Sequence, residues 1–299
     1  MKTPTTSGAI LRLPPEQLKH AFSAYAAAVA AKRARMVLGL VCLLVAIGLA
    51  GVAGEVDLVK FAGNIDRFPN YIRSLVPSLS WATFGADVAE WFWNLDEWLK
   101  LLADTLLIAY LGTLLGAVAA FLLCFFATAN LEQRGVIRFI CRRFLEFCRT
   151  VPEIVFALLF VVAFGLGAMP GVLALAIHSM GALGKLFAEV VENIDMRPVE
   201  GATSTGANRV TTIRFAVLPQ VMSNFTSYAL LRFEINVRTA AVMGFVGAGG
   251  IGQDLMVAIR KFYYTDVSAI LVLIIATVMV IDLLTEQLRH RLIGMERGS

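Results

Sequence analysis

Charged residues are scarce in this sequence. Aspartate, glutamate, lysine and arginine make up 16% of the 299 residues, whereas 58% are hydrophobic. A soluble globular protein usually has about 25% charged and about 45–50% apolar residues. The apolar residues form long runs, which predicts a protein embedded in the lipid bilayer and crossing it several times. The net charge of +4 is small and unevenly placed. It therefore indicates orientation in the membrane and gives no support to a nucleic-acid partner.

Residues that bind metals or form disulfides are also few. The four cysteines form no C-x-x-C pair, and the three histidines are far apart in the sequence, so their spacing supports neither a disulfide framework nor a zinc site. No G-x-x-x-x-G-K-[ST] segment occurs, so a P-loop for ATP is missing. The polar stretch before the first apolar run lacks the features of a cleavable signal peptide. We expect no metal and no cofactor.

Six apolar segments have about the length that crosses a bilayer. They lie at about residues 36–53, 101–128, 150–169, 171–191, 219–246 and 266–284. Because lysine and arginine favour the cytoplasmic side, the basic segments between these spans place both termini in the cytoplasm. The sequence thus predicts an all-α integral membrane protein. Its predicted parts are a cytoplasmic tail, a first span with an extracytoplasmic segment, a transmembrane core and a second tail, at 1–35, 36–100, 101–292 and 293–299.

Several short patterns predict local structure near the first spans. Residues 15–31 are Ala-rich, which is consistent with a surface helix or with a solvated tail. All four tryptophans lie between residues 54 and 100. Since indole rings favour the headgroup region, we predict a helix at 86–99 along the outer membrane interface. Gly112 and Gly116 have the G-x-x-x-G spacing that permits close packing of two helices.

The start of the third span and the middle of the fourth raise further expectations. Residues 131–149 are rich in arginine, which predicts a cytoplasmic loop. Thr150 followed by Glu153 has the form of a capping box, with Thr150 as the N-cap of the third span. His178 lies inside the fourth span. It could accept or donate an interhelical hydrogen bond, or it could be a proton or ligand site.

Residues 200–219, with the sequence EGATSTGANRVTTIRFAVLP, form a polar segment between apolar spans. We interpret them as a cytoplasmic helix. Their spacing resembles the coupling motif of bacterial ATP-binding-cassette import permeases, in which EAA, three residues, Gly and nine residues precede I-x-L-P. Gly201 and Ala216 replace the usual Ala and Ile. An ordinary amphipathic loop helix is the alternative. The resemblance implies contact with a separate ATPase subunit, with Ala202 facing its groove, and the implied coupling residues are Glu200, Gly201, Ala202, Gly206, Leu218 and Pro219.

The fifth span carries charges near its middle, in the sequence LRFEINVR from 231 to 238. Each would cost about 2.5–3.5 kcal/mol if it faced lipid. Glu234 and Arg238 are four residues apart on a helix and can form an ion pair. A different helix face carries a second polar set, in which Arg232 has no carboxylate partner and suits an oxyanion. Two interpretations remain open, a structural network and a substrate pathway lined by Tyr228, Arg232, Asn236 and Thr239.

A glycine-rich stretch, GFVGAGGIG from 244 to 252, follows the fifth span. It contains the letters of a G-x-G-x-x-G dinucleotide fingerprint. That fingerprint requires a preceding strand and a βαβ unit, whereas a membrane helix precedes this stretch. We therefore predict a gate or a broken helix at this place. The glycines that form it are Gly244, Gly247, Gly249, Gly250 and Gly252.

Together, the coupling stretch, LPQVMSNFTSYALLRFEINVRTAAVMGFVGAGGIG and RTVPEIVFALLFVVAFGLG resemble the phosphonate-import permease family. The resemblance covers about residues 101–292. It implies the fold of a type I ATP-binding-cassette importer permease in the cytoplasmic membrane. It also implies a homodimer of permeases, two ATPase subunits inside the cell and one extracytoplasmic binding protein. Members move phosphonate, phosphite or phosphate, and they do so by alternating access.

Two other function classes are considered. An ion-coupled secondary transporter could use His178, Asp282 and the charges of the fifth span for proton coupling, but it needs no segment that docks an ATPase. An ATP-binding-cassette permease for another small solute, such as an amino acid, shares that segment. A membrane enzyme would need a clustered acid–base, nucleophile or metal constellation, and the sequence indicates none.

Overall fold

The structure of the protein, a computed structural model, describes residues 14–296. Within these residues all regular elements are helical, and there are thirteen α-helices. The chain divides after Tyr71 into two compact units. The outer parts of the two predicted tails, residues 1–13 and 297–299, lie outside the described residues.

The first unit consists mainly of α1 (Pro15–Ala53), followed by α2 (Leu58–Asn64) and the start of α3 (Arg67–Leu75). α1 has 39 residues, which corresponds to about 58 Å of helix at 1.5 Å per residue. Residues 15–31 are thus helical and continue without a break into the predicted first span. The intervening residues, Lys32 to Arg35, are lysine, arginine and alanine, which are all good helix formers.

The second unit contains the remaining helices and all the predicted site residues. After the end of α3 come α4 (Phe84–Trp91), α5 (Leu95–Ala127), α6 (Gly135–Thr150), α7 (Glu153–Phe164), α8 (Ala168–Glu192), α9 (Arg197–Ser204), α10 (Arg209–Thr212), α11 (Leu218–Met243), α12 (Ile251–Arg260) and α13 (Tyr264–Glu296).

The number of membrane spans agrees with the expectation of about six. Four helices of the described chain, α1, α5, α8 and α13, are each long and apolar enough to cross a bilayer. Two bent pairs, α6 with α7 and the stretch from α10 through α11 with α12, bring the number to as many as six if each pair forms one span. The predicted all-α membrane fold is therefore confirmed.

The helices α5 and α8 pack closely at the centre of the second unit. A Cβ atom added at Gly112 would lie 2.6 Å from Cβ of Leu175, and one added at Gly116 would lie 2.7 Å from Cβ of Ser179. These distances are shorter than real Cβ contacts, so only glycine allows the two helices to approach this far. The predicted role of the G-x-x-x-G spacing is confirmed.

The third predicted span has a different structure. The expected basic loop is the helix α6, which meets α7 at 85°. α7 has 12 residues, or about 18 Å, which is too short to cross a hydrocarbon core of about 30 Å. The predicted capping box is also wrong, because Thr150 is the last residue of α6 and its hydroxyl donates to the carbonyl oxygen of Glu146 at 2.6 Å. Pro152 explains the break, since proline disfavours the helical conformation of the residue before it.

The predicted interface helix at 86–99 is wrong as a single helix, because the chain breaks between α4 and α5 at residues 92–94. The indole Nε1 of Trp91 donates to the hydroxyl of Ser268 at 3.0 Å, and that of Trp93 donates to Asp266 at 3.1 Å. Trp98 is buried. Three of the four indoles therefore join α4 and α5 to the rest of the second unit, which the clustering of tryptophan alone did not indicate.

We expect Gly116→Ala to destabilise the protein, although alanine is the better helix former. The added methyl would also lie 2.8 Å from the carbonyl oxygen of Ala176, and backbone cannot move aside as a side chain can. Overpacking of this kind costs about 1–3 kcal/mol. The effect is measured by heating the protein in detergent and determining the fraction of protein that remains monodisperse at each temperature.

Gly48→Ala is the matched control, because nothing lies within 4 Å of a Cβ at Gly48. It should leave the unfolding temperature unchanged or raise it. A Gly116→Ala protein that unfolds at or above the temperature of the wild type would contradict the close packing described here.

Candidate functional site

We call residues 197–219 the coupling segment. The predicted single helix over 200–219 is wrong: the segment consists of α9, a turn, α10, a π-helical turn at Ile213–Val217 and the start of α11. The turn forms at Gly206, whose φ of +84° lies in the left-handed region that favours glycine. Asn208 then caps α10, since its side-chain oxygen accepts from the backbone N–H of Thr211 at 2.9 Å.

The six predicted coupling residues differ in their surroundings. Glu200, Gly201, Gly206 and Pro219 are exposed, whereas Ala202 and Leu218 are half-buried and pack against the apolar core of their own chain. The expectation that Ala202 faces a partner's groove stays a prediction, and part of its side chain packs against the core of its own chain. Its neighbour Val199 is buried in the same core, because residues three apart lie on one face of a helix.

Sequence reasoning missed the contact that joins the coupling segment to α5. Nη1 of Arg209 donates to Oε2 of Glu132 at 2.6 Å, and Nη2 donates to the carbonyl oxygen of Phe125 at 3.0 Å. Glu132 is buried and lies in the loop after α5. No sequence pattern could reveal a pair separated by 77 positions.

The pKa of Glu132 lies below its usual range. The first cause is the hydrogen bond from Arg209, followed by the one from the backbone N–H of Arg134. The ionised carboxylate is thus stabilised in the folded protein. This contribution is present above the usual glutamate pKa and is lost as the pH falls through the lowered folded-state value.

A polar cluster lies between α5, α8 and α11. Nδ2 of Asn236 donates to the hydroxyls of Thr113 and Ser179, each at 2.8 Å, and Nε of Arg232 donates to Ser179 at 3.1 Å. Nη2 of Arg232 is buried and has no hydrogen-bond partner among the described residues, and the same holds for Oδ1 of Asn236. The cluster therefore keeps an unused cationic donor within the apolar part of the protein.

The structure does not bring all four predicted pathway residues together. Asn236 is fully buried, so in this conformation it positions Ser179 and lines no open path. The hydroxyl of Thr239 donates to the carbonyl oxygen of Ile235 at 3.1 Å. Tyr228, one helical turn before Arg232, lines an open cleft of about 450 Å³ between the ends of α8 and α11.

The predicted ion pair is present and is larger than expected. Nη2 of Arg238 lies 2.7 Å from Oε1 of Glu234 and 2.7 Å from Oδ2 of Asp282 on α13. The spacing of four residues revealed the first partner. The second could not be found from sequence, since it lies on another helix.

His178 has structural contacts with residues at the junction of α6 and α7. Nδ1 of His178 lies 3.0 Å from the carbonyl oxygen of Val151 and 3.5 Å from Oε2 of Glu153, which matches the interhelical hydrogen bond among the two alternatives.

The chain bends by 47° between α11 and α12, as expected for a broken helix. Three glycines there have a positive φ, namely Gly247, Gly249 and Gly250. A Cβ at Gly244 would lie 2.5 Å from Cα of Gly252, so this pair allows close backbone approach. A gating role for the five glycines stays a prediction.

Among the described residues, no group of three or more histidine, cysteine, aspartate or glutamate side chains is placed to hold a metal ion.

Comparison with known families assigns the chain. Residues 112–293 match the family described as the binding-protein-dependent transport system inner membrane component. This match covers more than half of the sequence. The chain belongs to this family. It is therefore a permease, a multi-pass component of the inner membrane that serves transport and is not an enzyme.

Several curated relatives are similar to the permease. The phosphite transport system permease PtxC of Stutzerimonas stutzeri is 42% identical over 193 residues, which are 64% of this chain and 70% of PtxC. The phosphate-import permease PhnE of Mycolicibacterium smegmatis is 40% identical over 67% of this chain, which corresponds to 37% of that protein. The putative cryptic phosphonate transport permease PhnE2 of Escherichia coli is 53% identical over 121 residues, 40% of this chain and 99% of PhnE2.

Solved structures of import permeases share the fold. The inward-facing MetNI methionine transporter gives a TM-score of 0.56 at 18% identity, over 65% of this permease and 95% of that chain. A bacterial alginate transporter gives 0.57 at 14% identity, over 83% and 95%. Identities this low support the fold alone, which is that of type I ATP-binding-cassette importer permeases.

The surroundings of Gly206 predict an informative order of variants. The position is open, with nothing within 4 Å of an added Cβ, but its positive φ is unfavourable for alanine by about 1–2 kcal/mol. Asparagine is larger yet tolerates this conformation. If the turn itself is what matters, Gly206→Asn should retain more co-purified ATPase subunit than Gly206→Ala. The opposite order would show that a partner's close approach limits the size of the residue.

Proposed function

We propose that this permease imports phosphonate or a related phosphorus oxyanion, phosphite or phosphate, into the cell. The names of the relatives support this substrate class, since phosphite, phosphate and phosphonate transport permeases are 40–53% identical to the aligned parts of this chain. The observation that carries the proposal is the unused donor of Arg232 in the polar cluster.

The chemistry of Arg232 fits such an anion. A guanidinium presents several N–H donors in a fixed planar arrangement that matches the oxygens of phosphate-like groups. An unpaired charge within a membrane protein is costly and is typical of a substrate or ion pathway. Among the described residues, no carboxylate forms an ion pair with Arg232, and Glu153 interacts with its charge only at longer range, so Nη2 is left without a hydrogen-bond partner. Arg232 can thus attract an oxyanion as the transport path opens.

The permease works with partners that supply energy and substrate. Because the sequence has no P-loop, ATP hydrolysis falls to a separate subunit on the cytoplasmic side, and two such subunits complete the transporter. An extracytoplasmic binding protein delivers the anion. Closure of the ATPase pair displaces the coupling segment, whose exposed residues Glu200, Gly201 and Gly206 form the contact, and the spans then alternate between outward and inward access.

A second copy of the permease completes the membrane part in this proposal. Glu234, Arg238 and Asp282 lie within apolar spans, and the side chain of Arg238 is still 47% exposed. Charges at such a depth are unfavourable against lipid, even as an ion pair. A water-filled cavity between two copies would instead hydrate this group. We therefore infer a homodimer.

Uptake into proteoliposomes tests the proposed function. The permease, reconstituted with its ATPase subunits and binding protein, should accumulate at least one of phosphate, phosphite and an alkylphosphonate only when ATP is supplied. The mass of the assembled complex should correspond to two permease copies together with the partner subunits. Uptake that is driven by a proton gradient without ATP would instead identify a secondary transporter, and uptake of amino acids alone would identify another substrate class.

We expect Arg232→Gln to lower the rate of anion uptake at least tenfold in an assembled complex. Hydrogen bonds to a charged group contribute about 1.5–3 kcal/mol, which corresponds to a factor of about 10 or more. Arg143→Gln is the control, because Arg143 is an exposed arginine that pairs with Glu146 in its own helix. Wild-type uptake by Arg232→Gln would reject the pathway role.

A further inference from the structure

The contact between Arg209 and Glu132 is unusual for a surface loop. Glu132 is only 4% exposed, and a buried carboxylate is unfavourable unless it is paired and hydrogen-bonded. Both requirements are met, since Oε2 accepts from Arg209 at 2.6 Å and Oε1 accepts from the backbone N–H of Arg134 at 3.0 Å. The guanidinium also lies over the ring of Phe126, 5.0 Å from its centroid.

This guanidinium is attached to the end of a membrane span. Phe125 is in the last turn of α5, where backbone carbonyls have no partner within the helix. Arg209 donates to one of them at 3.0 Å, and a positive charge at a helix C-terminus is favourable. The side chain of Arg209 thus contacts the last turn of α5, including the ring of Phe126, and the loop that follows.

The other cytoplasmic contacts have a different distribution. Arg142 pairs with Glu192 and joins α6 to α8, without including the coupling segment. Gln220 exchanges hydrogen bonds with Asp195, at 3.0 and 3.2 Å, and so joins the residues that flank the segment on its two sides. Among the described side-chain hydrogen bonds, the one from Arg209 to Phe125 joins the coupling segment to α5, and the one to Glu132 joins it to the loop that follows α5.

The same helix, α5, contributes to the polar cluster at some distance from its contact with Arg209. Thr113 lies on α5, 12 residues before Phe125, or about 18 Å along the helix. Its hydroxyl accepts from Asn236, which also donates to Ser179, the partner of Arg232. A rigid helix that is held at Arg209 can therefore carry a displacement from the coupling segment to the cluster.

We propose that Arg209 and Glu132 are a positioning pair that transmits movement of the coupling segment to α5, and thereby to the polar cluster around Arg232. This inference rests on the proposed function, in which an ATPase displaces the segment. It assigns no contact with substrate or nucleotide to either residue. Without the pair, apolar packing such as that of Val217 in the same core as Phe125 is what still joins the segment to α5. We therefore expect α5 to follow the segment less closely.

A cysteine on α5 reports whether that helix follows the ATPase. Leu114 is half-exposed beside Thr113. Leu114→Cys is introduced into the full complex after Cys42 and Cys141 are replaced by Ser, and its labelling rate with a membrane-permeant maleimide is compared with and without ATP and vanadate. In this background we expect ATP to change the rate. Adding Arg209→Gln or Glu132→Gln should reduce that change at least threefold, and the double variant should be no worse than the more impaired single one.

Lys185→Gln is the matched control, because Lys185 and Glu189 form an exposed ion pair within α8 that joins no two elements. It should leave the ATP-dependent change intact. Arg209→Lys keeps a positive charge beside the buried carboxylate and is used if the Arg209→Gln complex does not assemble. Because lysine loses the hydrogen bond to the carbonyl oxygen of Phe125, we expect an ATP-dependent change in labelling rate between those of the wild type and Arg209→Gln.

The outcomes separate the two proposals. The positioning role would be overturned if ATP changed the labelling rate in both single variants as much as it does with Arg209 and Glu132 intact. It would also be overturned if ATP did not change the labelling rate in the complex that keeps both residues. Because the labelling uses no anion, absence of anion uptake by the wild type would count against the proposed substrate and leave this test valid. As a second readout, anion molecules taken up per ATP hydrolysed should fall in both single variants.

Discussion

The lack of water in the bilayer core is the constraint on which this structure depends. Backbone groups there have to be satisfied within the chain, which leaves helices as the regular element of the spans. Side chains follow the same requirement. Arg238 is matched by Glu234 and Asp282, and Asn236 is matched by two hydroxyls. A few buried acceptors, such as Oδ1 of Asn236 and Oδ1 of Asp282, have no partner among the described residues. Nη2 of Arg232 is the cationic donor among these unmatched atoms, and it is the group to which we assign the substrate.

Two features convert this helical body into one that can respond to a partner. Close contact at Gly112 and Gly116 holds α5 against α8, so neither helix can shift alone without losing packing. At the cytoplasmic end, Arg209 fastens the coupling segment to α5. Apolar packing at the centre and charged contacts at the edge therefore lie on the same helix, which connects the proposed site of the ATPase with the polar cluster.

Patterns of fixed spacing predicted much of the fold. The apolar runs gave most of the spans, G-x-x-x-G gave the helix contact, and four-residue spacing gave the pair of Glu234 and Arg238. Breaks within a helical region were harder to predict, as at Pro152, where a loop and a span were expected and two helices at 85° are present. Contacts between distant segments, such as Arg209 with Glu132, depend on packing and have no local signal. The sequence therefore predicted which residues belong to the site, but it did not predict which distant residues they contact.

The most direct test of the account is a cross-link from the coupling segment. Glu200 is exposed on α9, and Cys124 and Cys148 are buried, so Glu200→Cys with Cys42 and Cys141 replaced by Ser offers one accessible thiol at the predicted contact. A short bifunctional cross-linker should join this cysteine to the ATPase subunit in native membranes, and impermeant maleimide added to intact cells should not reach it. Labelling from outside the cell, or an assembled complex with no cross-link to the ATPase subunit, would contradict the account.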